Sequence, residues 1–106
     1  MSDRPAAEHP ADFVQLCEDA VRALREMERA GAMERGAALP AIRAALAEIG
    51  ERMAVLDWET DRYEREQAAL LDAAGALGAI DLDRGGPHVP RYVQRIVDDL
   101  GRIATG

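Results

Sequence analysis

The chain has no lysine, no asparagine and a single serine, and each shortage removes a class of chemistry. All 13 basic residues are arginine, so there is no amine for a Schiff base and no lysine for a phosphate-binding loop. Arginine keeps its proton and cannot stand in as a base or nucleophile. The one serine, Ser2, sits in a polar N-terminal lead, which argues against a serine hydrolase. Cys17 is the only cysteine, so an intramolecular disulfide and a structural zinc site of the usual kind are both excluded, and a reducing cytoplasm fits best.

Aromatic residues are scarce, with one Phe, one Trp and two Tyr, and the 48% hydrophobic share is made largely of alanine. Small side chains favour helices that approach closely, and helix on helix over a sheet. The few β-branched residues never alternate with polar ones over a strand's length, so no strand is predicted. There is no apolar run of about 18 residues and no signal-peptide core near the N-terminus, so no membrane partner is expected. A net charge of −7 argues against nucleic acid, whose phosphates demand a basic face.

What is present is helical periodicity. From Leu39 to Leu77 an a/d heptad register runs through Leu39, Ile42, Leu46, Ile49, Met53, Leu56, Thr60, Tyr63, Gln67, Leu70, Ala74 and Leu77, with no proline after the first turn. A single helix through it would be about 58 Å long at the usual rise per residue. Residues 11–30 form a second amphipathic helix, buried through Phe13, Cys17, Ala20, Leu24 and Met27. A third, over residues 89–104, carries Val89, Val93, Ile96, Leu100 and Ile103. Residues 1–10 read as a disordered lead, and the glycines of 31–38 and the DRGGPHVP stretch of 83–90 as connections.

These lengths predict an all-α fold in one domain. A long central helix over 39–79 carries the two shorter helices antiparallel along it, and a second copy of the chain completes a four-helix bundle as a homodimer. The alternative is a monomeric four-helix bundle, with the central helix broken near Asp57 to Thr60. In the first half of the central helix Ala44, Ala45, Ala47, Ala54, Val55 and Trp58 add apolar surface beyond the seam, so that half is expected deep in the bundle.

Candidates for chemistry are few. His9 and His88 sit beside prolines without a second ligand at helical spacing, so neither a metal nor a cofactor is expected. Asp81, Asp83 and Gly85 share the spacing of the opening of a calcium loop, but Tyr92 stands where its bidentate glutamate belongs. Arg91, Arg95 and Arg102 form a basic stripe that either meets the acids of 59–66 or binds phosphate. Asp61 to Arg65 and Glu48 to Arg52 have the spacing of helical ion pairs.

The leading functional expectation is a non-catalytic protein-protein interaction module: a small cytoplasmic adaptor, chaperone-like factor or inhibitor whose partners are a second copy of itself and another protein. Its partner-binding residues would be Trp58, Glu59, Arg62, Tyr63 and Glu66, and its dimer or core seam Leu39, Ile42, Leu46, Ile49, Met53, Leu56, Leu70 and Leu77. The alternative is a small helical enzyme binding an anionic substrate in a dimer-interface pocket of Arg43, Arg52, Glu59, Arg62 and Tyr63.

Overall fold

The computed structural model describes residues 9–105, which form four α-helices: α1 (Ala11–Glu28), α2 (Ala32–Asp57), α3 (Asp61–Leu82) and α4 (Val89–Thr105). No strand occurs among the described residues. Each helix packs on the next and α4 closes back on α1, while the diagonal pairs stay apart. The result is a ring-ordered bundle with extents of 52 × 21 × 19 Å. Of the N-terminal lead, residues 1–8 lie outside the described residues.

The long central helix is not continuous, and the alternative break near Asp57 to Thr60 is the one found. α2 stops at Asp57, Thr60 takes an extended conformation, and its hydroxyl accepts the Tyr63 N–H at 3.2 Å as the N-cap of α3. Asp61 and Glu64 in the first turn of α3 suit the positive end of the helix dipole. Breaking there folds the seam of α2 back onto the same chain. Leu39, Ile42, Leu46, Ile49 and Met53 are all at most 4% exposed, a burial that contributes on the order of 10 kcal/mol. A second chain is therefore not needed to close the core.

Two further expectations are corrected. The connection of 31–38 is mostly helix: α2 starts at Ala32, and Pro40 lies inside it. A proline there loses one backbone hydrogen bond and crowds the carbonyl four residues earlier, that of Gly36. The burial of Leu39 and Ile42 on either side outweighs that cost. Beyond the break, the buried stripe of α3 is Glu66, Ala69, Ala73, Ala76 and Ile80 with Leu77, one residue earlier than the heptad phase. Leu70 is only half-buried as a consequence, and Leu56, in the last turn of α2, is exposed.

Alanine on that stripe lets α3 lie close to α4, the most extensive helix pair in the ring. Glycine does the same between α2 and α3, where a Cβ on Gly50 would come within 2.9 Å of Leu70 Cδ2. At the opposite end of the bundle Arg35 acts as a clasp. Its guanidinium donates to the Met27 carbonyl at 3.3 Å and to that of Glu28 at 2.7 Å, and also to the carbonyl of Arg84. It thus caps α1 and ties it to the connection before α4. Arg35→Gln should lower the melting temperature by roughly 10 °C, about 2 kcal/mol, and Arg35→Lys should recover only part of it because an ammonium lacks the fork; thermal melts followed by circular dichroism check both.

Candidate functional site

Among the described residues, three polar side chains lie inside the bundle: His9, Glu66 and Asp99. The phase of α3 that buries Ala69 and Ala73 also turns Glu66 inward. Its Oε2 lies 2.9 Å from His9 Nε2 and 3.5 Å from Arg62 Nε, and the two side chains of the His9 pair are almost sealed from solvent. The imidazole tilts against Phe13, with ring centroids 4.6 Å apart. His9 therefore does not belong to a disordered lead, and Glu66 does not belong to a solvated charged face. Burial, then the charges of Glu66 and Glu18, pushes the Cys17 thiol up to about 11, which keeps it protonated and inert at neutral pH.

Asp99 belongs to a second polar group, on the seam between α3 and α4. Arg102 Nη1 donates to Asp99 Oδ1 at 2.8 Å, while Asp99 Oδ2 is buried and has no hydrogen-bond partner among the described residues. Arg95 grips Asp72 with two hydrogen bonds, one of them from Nε to Oδ2 at 2.8 Å. The Asp72 and Asp99 carboxyls border the same depression and influence each other's titration. Burial first, then neighbouring Asp72, pushes Asp99 up to about 7 against the pull of Arg102 and Arg95. Hydrogen bonding from Arg95, then from Asp99, holds Asp72 well below the usual carboxylate range. One acid thus keeps its proton near neutrality while its neighbour stays ionised.

This pair lines an open depression of about 440 Å³ with Arg65, Arg95, Asp98 and Arg102. A second depression of about 270 Å³ shares Arg65 and Arg102 and adds Arg62, Glu66 and Thr105. Arg65 stands between them and makes no ion pair among the described residues; the expected pairing with Asp61 does not form, whereas Glu48 and Arg52 do pair, at 3.1 Å.

The outward side of α2 is of another character. Of the apolar residues beyond the seam, Ala45 and Ala54 are half-buried, with Ala45 against the core, but the rest face outward: Ala44 and Ala47 are exposed, Val55 is 79% exposed and Trp58 64%. Between α1 and α2 a groove of about 600 Å³ is floored by Phe13, Ala44, Ala47, Val55 and Leu56 and rimmed by Asp12, Glu48, Glu51 and Arg52. Between α2 and α3 a smaller one of about 290 Å³ is lined by Leu46, Ala47, Leu70, Leu71, Ala74 and Leu77 with Arg43. Ala47 borders both, so the two grooves flank a single apolar ridge. The signal for it was in the sequence: a helix apolar on two sides has one more face than a four-helix ring can cover.

Of the five residues of the enzyme alternative, Arg43 and Arg52 are on α2, while Glu59, Arg62 and Tyr63 fall at the turn after it and the start of α3. Arg43 pairs with Asp81 at 3.7 Å, Arg52 with Glu48 and Asp12, and Arg62 with Glu66. Glu59 is exposed in the turn after α2, and Tyr63 is half-buried against the core. Of the partner-binding set, Trp58 and Glu59 face solvent, Arg62 and Tyr63 are half-buried and Glu66 is internal. In the seam set, Leu39, Ile42, Leu46, Ile49, Met53 and Leu77 are core. Asp81 is engaged by Arg43 and Arg84, and no group of three or more His, Cys, Asp or Glu among the described residues is placed to hold a metal ion. Arg95 of the basic stripe meets Asp72 rather than the acids of 59–66. No helix among the described residues is long and apolar enough to cross a membrane.

No protein-family model matches this chain, and no curated protein or solved structure matches it.

The raised value of Asp99 gives a pH dependence with a definite sign. The folded chain binds this proton more tightly than the unfolded chain, whose aspartates titrate at about 3.9. The resulting stability is complete below about pH 4 and is lost as the pH rises to about 7. Asp72 has the opposite sign, but its contribution changes only below its ordinary value. Asp99→Asn keeps an acceptor for Arg102 and adds a permanent donor toward Asp72. Its melting temperature should exceed that of the wild type by a gap that widens between pH 4.5 and pH 7.5, roughly tracking one titration; a constant gap in melts across that range would overturn the raised value of Asp99.

Proposed function

We propose that this chain is a non-catalytic protein-protein interaction module, a small cytoplasmic adaptor, chaperone-like factor or inhibitor, and that its working surface is the outward ridge of α2. The observation that carries this reading is the exposure of Val55, on a helix whose other side is already core, and of Trp58 just past its end. An exposed Leu71 beside the smaller groove widens the same apolar surface. Valine and tryptophan side chains each gain about 1.5–3 kcal/mol when a partner covers them, and clustered apolar surface of this kind marks interaction sites. The acids on the rim keep the surface soluble while it waits.

The favoured occupant is a second copy. The ridge runs through Ala37, Pro40, Ala44, Ala47, Glu48, Glu51, Val55 and Trp58 at helical spacing. Under a two-fold axis passing between Ala47 and Glu48, an antiparallel copy sets Val55 against Pro40 and Trp58 against Ala37. The bulky end of each ridge meets the small end of the other, which is the self-complementarity that an isologous dimer requires. An amphipathic helix of another protein is the competing occupant, and it would use the same grooves.

Light scattering behind size exclusion, over a concentration series, tests this. The wild type is expected as a dimer, and Val55→Asp or Trp58→Asp should weaken it by about thirty-fold or more, on the scale of an interface hot spot, with helicity unchanged. A wild type that stays monomeric at every concentration would rule out self-association, and one that also retains no partner protein through this ridge would overturn the module reading.

A further inference from the structure

We propose that the depression between the start of α3 and the end of α4 binds a small oxyanion, of the phosphate or carboxylate class, gripped by Arg62, Arg65 and Arg102. Three arginines line a space of about 270 Å³ in a chain whose net charge is −7, Arg62 also pairing with Glu66 and Arg102 with Asp99. Among the described residues the acid in the lining is Glu66, whose Oε2 is turned toward His9 and Arg62. The rest of the wall is Thr105, whose hydroxyl already donates to the Gly101 carbonyl at 2.9 Å and so shapes the site rather than binding in it.

The arrangement is specific in its parts. Arg62 and Arg65 are three residues apart and share one face of α3, and Arg102 reaches across from α4. Arg65 has an acid one helical turn before it, Asp61, yet forms no ion pair with it, and its exposed side chain instead borders both polar depressions of this seam. Arg102 uses Nη1 on Asp99, which leaves Nε and Nη2 as donors. The positive end of α3 and the negative end of α4 lie side by side and offset one another, so attraction here rests on the guanidiniums. Their planar forks match the paired oxygens of a carboxylate or phosphate, and an open depression bordered by three arginines suits an oxyanion with some of its water.

The test uses the full chain labelled with ¹⁵N and titrated separately with inorganic phosphate, acetate and chloride at matched ionic strength. Saturable shifts are expected around residues 62–65 and 102–105 with phosphate or acetate and not with chloride. Saturation by only one of the two oxyanions assigns the class. Arg65→Gln, which removes no ion pair, should melt as the wild type does and lose about ten-fold in affinity; Arg65→Lys should fall between them, and Arg91→Gln, at the far end of α4, should bind normally. Shifts that rise linearly without saturating, an equal response to chloride, or full affinity in Arg65→Gln would overturn the proposal.

Discussion

The reversal of the chain at residues 58–60 is the constraint on which the rest of the structure depends. Ending one helix and starting another strands several backbone donors and acceptors, and they can be left only where water reaches them or a side chain meets them. Both conditions hold at this turn: Trp58, Glu59 and Thr60 are exposed, and the Thr60 hydroxyl takes up the Tyr63 N–H. The cost is small beside what it releases. Once α3 can double back, the aliphatic seam of α2 is covered by its own chain, and four helices close a ring around it.

Closing that ring decides which surfaces are left over. α1 and α4 each have one apolar stripe and bury it whole. α2 is apolar on two sides, and the ring can accept only one; the other becomes the ridge of Ala44, Ala47 and Val55. α3 contributes alanines inward and arginines at its edge, so its seam with α4 is close-packed at the centre and cationic toward one end. The apolar ridge and the arginine-lined depression therefore lie on different seams of the same ring, and neither draws on the other's residues.

How much of this was legible followed from how many stripes each helix carries. The buried positions of α1 (Phe13, Cys17, Ala20, Leu24, Met27) and the apolar ones of α4 can be read off the sequence residue by residue, because a single stripe leaves one solution. The central segment has more than one. Its heptads cross 58–60 without a proline or glycine, and only Thr60, followed by Asp61 and Glu64, marks a helix start. A threonine that also occupies a seam position reads as a polar interruption of a long helix until the cap is seen. His9 carried no signal at all, since nothing local reveals that its partner would be Glu66, far along the chain. Arg35 was likewise silent, because its acceptors are backbone carbonyls.

The phase of α3 is the finest point of the architecture, and it is set by charge more than by shape. A stripe of Ala69, Ala73 and Ala76 has few protrusions to lock into a neighbour, so packing alone discriminates weakly between rotations of the helix. Turning α3 by one residue would restore the heptad seam and bring Leu70 inward, a gain in apolar burial. The same turn would carry Glu66 away from His9 and Asp72 away from Arg95, leaving a buried imidazole and the Asp99 carboxyl without the partners they now face. Losing one member of a buried charged pair costs more than the pair contributes when intact. Buried acids are thus poor sources of stability here but effective selectors of register. They hold α3 in the rotation that leaves Leu71 on the apolar surface beside α2 and directs Arg62 and Arg65 toward α4.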